Sequence, residues 1–368
     1  MEKTAVHKAS MPVNTYRLIQ IVLGVVFSAY VIWRFYDVFI GNPAYGADTW
    51  MRFAISGVVL GSVYALVAIG YTLVYGILFM INFAHGDIMM IGAFGGYFVF
   101  EALKNIPSPT VGDPHQVFLN AHPIISVILA FVVGMIVAAV SGYFLEKIAY
   151  RPLRNAPRLV PLISAIGASI FLENAALLLF GSQRRDFVNP VQLTRGTGWN
   201  IPVNGTTVIL PYTGVLTFVL SVLILIALYL LVQRTRIGRA MRAVAENKST
   251  AALMGIDVDG VISRTFIISG ALAGAAGVMW GIHLGLVYYQ VGFIPGIKAF
   301  TAAVLGGIGN IPGAMLGGMF LGIIEALGPA ILGLPFQLKD VLAFGILVLI
   351  LIFRPTGLLG EVLSEEKV

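Results

Sequence analysis

Three charged groups stand within or beside apolar stretches of this 368-residue chain: Glu173 next to Asn174, Glu325, and Lys298 near the end of a stretch. A charge inside a membrane span is expensive, and by default it marks a pathway or a proton relay. Glu173 and Glu325 could serve a gradient-coupled carrier in that way. Each can instead pair with a neighbouring helix, which is the favoured reading, and Glu325 lies close enough to the end of its stretch to reach water. A polar break, Asn82-Phe-Ala-His-Gly-Asp87, interrupts another apolar run. Such a break ends one helix and starts the next, with Asp87 placed to cap the second. Tyr64, Tyr71 and Tyr75 precede it at helical spacings and could line a route for an apolar solute, although packing explains any single tyrosine as well. With Asn310 in a later glycine-rich break, the pathway candidates are Tyr71, Asn82, His85, Glu173 and Asn310.

Other chemistry is missing from the sequence. No GxxxxGK[ST] occurs, and the nearest string, Glu246-Asn-Lys-Ser-Thr250, lacks the glycines whose bare backbone would cradle a nucleotide phosphate. The five histidines are scattered rather than spaced as metal ligands, HExxH is absent, and no cysteine is available for thiolate chemistry. The expectation is a chain that is not an enzyme and binds no metal or cofactor of its own.

The elements that must position these residues follow from composition. Hydrophobic residues make up 58% of the chain and charged residues 11%, with mean hydropathy +0.91. Soluble domains carry about 25% charged residues, so this is a polytopic membrane protein in a lipid bilayer. Forty-two glycines suit helices that touch closely in lipid, and Gly57 with Gly61 is a small-xxx-small pair. The net charge of +6 needs no nucleic-acid partner, because Lys and Arg collect in cytoplasmic loops of membrane proteins.

Spans are expected near Leu18–Tyr36, Phe53–Met80, Ile88–Leu103, Ile124–Glu146, Val160–Gly181, Tyr212–Val232, Val261–Leu284 and Val341–Phe353. The first, preceded by Lys3, Lys8 and Arg17 and closed by Arg34, is read as retained rather than cleaved. Between the last two lies Ile297–Leu327, broken at Gly306-Gly-Ile-Gly-Asn-Ile-Pro-Gly313, where glycines and Pro312 favour two short helices. About ten crossings result. Lys147, Arg151, Arg154 and Arg158 follow the fourth span, and Arg234, Arg236, Arg239, Arg242 and Lys248 follow the sixth. Both clusters and Arg354 fall inside if both termini are cytoplasmic. The expected divisions are a cytoplasmic tail, 1–16, a transmembrane domain, 17–356, and a second cytoplasmic tail, 357–368.

The loop at about 233–259 is a docking surface. Ser249 can cap a short helix, Thr250–Met254 can form it, and Gly255 can end it in the left-handed region.

Four segments carry a resemblance. Met80-Ile-Asn-Phe-Ala-His-Gly-Asp87, Glu146-Lys-Ile-Ala-Tyr-Arg-Pro-Leu-Arg154, the run Arg236–Asp257, and the Lys298–Gly313 stretch stand in one order. Together they resemble the permease subunits of ABC importers for branched-chain amino acids, of the LivH type, over about 52–357. The resemblance implies an all-α polytopic membrane protein with a type-II ABC importer transmembrane fold in the inner membrane. It implies a second permease subunit, two cytoplasmic ATPase subunits that bind ATP and Mg²⁺, and an external solute-binding protein. Arg239, Arg242, Glu246, Asn247, Ser249, Ala251, Ala252, Met254 and Gly255 would then form the ATPase-docking loop, with Ala251 and Ala252 small enough to enter a groove. Similar proteins carry urea, amides or other amino acids, so the substrate stays open among these. An autonomous carrier coupled to an ion gradient is the rival class, and a passive channel-like subunit the third.

Overall fold

The structure, a computed structural model, describes residues 13–41, 45–109, 115–154, 156–157, 159–194, 196–354 and 356–360. Arg158, Arg195, and most of the two expected tails lie outside the described residues.

The helices follow the apolar runs. In chain order they are α1 (Val13–Tyr36), α2 (Ala47–Leu78), α3 (His85–Lys104), the short α4 (Phe118–Ala121), α5 (Pro123–Leu145) and α6 (Leu159–Phe180). Strand β1 (Arg185–Asp186) and a hairpin of β2 (Gly198–Val203) and β3 (Thr206–Pro211) come next. Then follow α7 (Tyr212–Arg234), α8 (Arg236–Glu246), α9 (Lys248–Leu253), α10 (Val258–Leu284) and β4 (Leu286–Val287). The chain closes with α11 (Phe293–Gly306), α12 (Ile311–Leu332) and α13 (Lys339–Phe353). Among the described residues nine helices are long and apolar enough to cross a membrane, and the 14-residue α11 is a shorter tenth element. The protein is a multi-pass, all-α membrane protein.

Glycine decides which helices touch. Gly57 and Gly61 of α2 lie against the backbone of α12 at Ile323 and Met319, and a Cβ on Gly61 would sit 2.8 Å from the Met319 Cα. Gly318 and Gly322 face them from α12, so the small-xxx-small pair meets a matching pair. Gly92 of α3, Gly134 of α5 and Gly274 of α10 form a second such crossing. These contacts make α2, α3, α10 and α12 the buried centre. By contrast α6 and α13 keep large apolar side chains exposed, among them Phe171, Leu178 and Val348, as lipid-facing or subunit-facing helices must.

The expected break in Ile297–Leu327 is present. Residues 307–310 separate α11 from α12, with Gly307 and Gly309 at positive φ. Asn310 restarts the chain by accepting a hydrogen bond at Oδ1 from the Gly313 amide (3.0 Å). The break sits beside the last described residues: Leu358 and Leu359 amides donate to Leu305 and Gly306 carbonyls.

The basic clusters share one end of the bundle. Arg154 bridges Glu146 on the turn after α5 and Asp259 at the start of α10. The opposite end carries the β elements. β1 pairs with β4, and the hairpin turns through Asn204 and Gly205, both at positive φ, the conformation that an Asn-Gly turn supplies.

Candidate functional site

The chain between α2 and α3 rises back into the bundle before α3 begins. His85, the first residue of α3, is packed edge-on against Tyr71 of α2 (ring centroids 4.8 Å) and lies 3.5 Å from the Ser269 hydroxyl near the middle of α10. A second helix starts at the same depth. Gly292 and Gly296 lie against Gly86 so closely that any side chain there would strike backbone. Both α3 and α11 are therefore broken-in helices that begin inside the protein, an arrangement tolerated only where backbone is buried or lines a cavity.

A cavity of about 590 Å³ lies beside these two helix starts. Phe83, Ile166, Ile170, Phe293 and Phe300 make much of its wall, with Leu347 of α13 behind them. Asp87, Ser169, Glu173, Tyr71 and Thr301 supply its polar groups. Asp87 does not cap α3 as expected. It sits within the first turn, and its carboxylate instead takes a hydrogen bond at Oδ2 from Ser169 on α6. The reason is depth: the amides of the first turn already donate to Asn82 and Ala84 carbonyls, and the side chain turns to the cavity.

Two of the five pathway candidates, Tyr71 and Glu173, line this cavity. His85 stands behind Tyr71. Asn82 is buried towards the basic end, where its Oδ1 accepts from the Tyr150 hydroxyl (2.9 Å). Asn310 is remote from the cavity. It belongs to the break, where its Nδ2 donates to the Leu359 carbonyl (2.9 Å).

Glu325 does not reach water. It is buried, accepting at Oε2 from Tyr64 (2.9 Å) and at Oε1 from Lys298 (2.8 Å), with the Lys339 ammonium 3.1 Å away. Lys298 also faces Asp340 at 2.6 Å. Four helices, α2, α11, α12 and α13, are tied by this network, so Glu325 is a structural group.

The loop expected to dock a partner is built from two capped helices. The Thr235 hydroxyl accepts from the Gly238 amide (3.1 Å) to start α8, and Arg242 returns to bond the Val232 carbonyl at the end of α7. Asn247, not Ser249, caps α9: its Oδ1 accepts from the Thr250 amide (2.9 Å). Ser249 supports that cap by donating to the same oxygen (2.7 Å). The helix consequently begins at Lys248, and Gly255 at φ +82° ends it as expected. Partial burial, then the Arg154 guanidinium, lower the Lys248 ammonium from its ordinary value.

The faces of α9 differ from expectation. Ala251 is buried against the bundle, whereas Ala252 is exposed. The projecting tip is Leu253 (88% exposed) with Met254 (78%). Leu253 was missed because the sequence does not say which side of a six-residue helix meets the bundle. Arg239 is exposed on α8. Arg242 and Glu246 share a recess of about 520 Å³ with Tyr75 and Asn310, which places α8 against the break between α11 and α12.

Comparison with known proteins places this geometry. A family model described as the branched-chain amino acid transport system permease component matches residues 53–351. The chain is 46% identical over 309 residues to the high-affinity branched-chain amino acid transport system permease protein BraD of Pseudomonas aeruginosa, covering 83% of this chain and 94% of the relative. It is 44% identical over 310 residues to the permease protein LivH of the corresponding system in Escherichia coli K12, with the same coverage. No solved structure matches. The family match takes in α3, the cavity, the docking loop and both halves of the broken segment, and the chain belongs to the family of branched-chain amino acid transport permease components.

Proposed function

We propose that this chain is one of two membrane subunits of an ATP-driven importer of branched-chain amino acids. Two cytoplasmic subunits bind ATP with Mg²⁺ and hydrolyse it, and an external solute-binding protein delivers the cargo. The basic end faces the cytoplasm, with both termini on that side, in keeping with the usual bias of Lys and Arg. Besides the family, the observation that supports this reading is the tip of α9. Leu253 and Met254 project from a short, doubly supported helix, and apolar side chains held in water on a rigid mount suit insertion into a partner's groove.

The mechanics follow from what α9 rests on. Ala251 packs inward, and the Ile256 amide donates to its carbonyl, so the tip is not free to swing alone. Asp257 caps α10 through the Gly260 amide (3.0 Å), and Arg242 anchors α8 to α7. Closure of the ATPase pair then moves α8, α9 and the basic ends of α7 and α10 as one body. The recess beside Asn310 passes that motion to the break, where α11 and α12 can change their relative angle.

Leu253→Glu tests this reading. It is expected to leave the amount of folded protein in the membrane unchanged, to abolish co-purification of ATPase subunits in mild detergent, and to lower leucine uptake at least about tenfold, the effect of losing one anchoring contact of roughly 1.4 kcal/mol or more. Normal co-purification and uptake by the variant would overturn the docking role.

A further inference from the structure

We infer that the cavity beside the starts of α3 and α11 is a binding site for the α-ammonium group and apolar side chain of the transported amino acid, with Asp87 and Glu173 as the ammonium ligands. The inference rests on the amino-acid importer reading above and adds a site to it.

Asp87 is only 1% exposed, yet its Oδ1 has no hydrogen-bond partner. Glu173 Oε1, on the facing helix α6, is likewise buried without a partner. The two carboxylates act on one another electrostatically, and the Gln290 side chain hydrogen-bonds to the Glu173 carboxylate, leaving Oε1 as the oxygen without a partner. Among the described residues that line the cavity there is no lysine or arginine. A buried carboxylate oxygen left unpaired is unfavourable, and a pair of them is worse. An ammonium group carries three N–H donors and no acceptor, so one such group can satisfy Oδ1 and Oε1 together.

The rest of the cavity agrees in chemistry. Its walls are phenylalanine and isoleucine from α6, α11, α13 and the segment before α3, a surface for a branched aliphatic side chain rather than for a polar one. The volume of about 590 Å³ is in the range of small-molecule sites. Glu325 supplies the internal contrast, since that carboxylate has its cation built into the chain as Lys298. Ser169 holds the other Asp87 oxygen, and Oδ1 is left buried without a partner in a residue that lines the cavity.

The test uses the assembled transporter, purified with its partner subunits but without binding protein, and three probes observed by saturation-transfer NMR. Leucine and 3-methylbutylamine, which keeps the ammonium and loses the carboxylate, are expected to bind and to compete. The isosteric 4-methylpentanoate, which lacks the ammonium, is expected not to bind. Glu173→Gln and Asp87→Asn are each expected to weaken leucine binding about tenfold, as loss of one charge-assisted hydrogen bond does. Glu173 is half-buried, so its variant tests the site even if Asp87→Asn fails to fold. Binding of 4-methylpentanoate equal to that of the amine, or undiminished leucine binding to Glu173→Gln, would overturn the inference. So would a complex that imports leucine with ATP and binding protein yet binds none of the probes; that result leaves the importer reading standing. A complex that imports no leucine at all would remove both.

Discussion

Two buried acidic regions of this molecule have been settled in opposite ways. Around Glu325 every charge has a fixed partner: Lys298 and Lys339 on one oxygen, Tyr64 on the other. Around Asp87 and Glu173 one oxygen of each carboxylate is left without a partner beside a cavity. The first arrangement joins four helices and leaves no room for cargo. The second leaves its charges unsatisfied and keeps the space. Sequence types are alike in the two places, so the difference lies in which helices tertiary packing brings alongside. A carboxylate in a span thus marks a pathway only when its partner is missing.

The strongest way to break this contrast is Lys298→Met. It strips Glu325 and Asp340 of their buried cation, and removing one member of such a pair costs about 3–5 kcal/mol. Thermal unfolding in detergent should show a large fall in midpoint, with little folded protein recovered from the membrane. Tyr64→Phe removes a single hydrogen bond to the Glu325 carboxylate and should cost about 1.5–3 kcal/mol by the same measurement. Lys339→Met should cost no more than about 1 kcal/mol, because Lys339 is half in solvent and Lys298 continues to hold Glu325. Glu173→Gln sharpens the other side of the comparison. It strips no buried cation of its partner, so the midpoint should shift by no more than about 0.5 kcal/mol equivalent, while leucine import falls. A Glu173→Gln protein that unfolds as readily as Lys298→Met would make the two regions equivalent and erase the distinction.

Much of the architecture is legible in the sequence because lipid allows so few solutions. The spans, the glycine-rich break before Asn310 and the paired glycines at 57 and 61 are each local patterns with a single physical use in a bilayer. The hairpin at Asn204-Gly205 is equally open to reading, since that dipeptide between β-branched residues is a strong turn signal. The site was harder. Asp87 looks like a cap from its spacing, and only the long-range contact with Ser169, 82 positions away, turns it into a cavity ligand. Ser249 and Asn247 are both good caps by type, and the chain chose the one whose backbone is extended at φ −157°. The inward turn of Ala251 and the outward turn of Leu253 depend on how α9 leans on the bundle, which no local pattern encodes.

The most direct test of the central claim is leucine uptake into proteoliposomes containing the purified complex, with binding protein outside and ATP sealed within. The expected result is uptake that requires internal ATP and continues when ionophores collapse every ion gradient. Uptake by this chain alone, without ATP and abolished by the ionophores, would contradict the account and return Glu173 to the role of a proton relay.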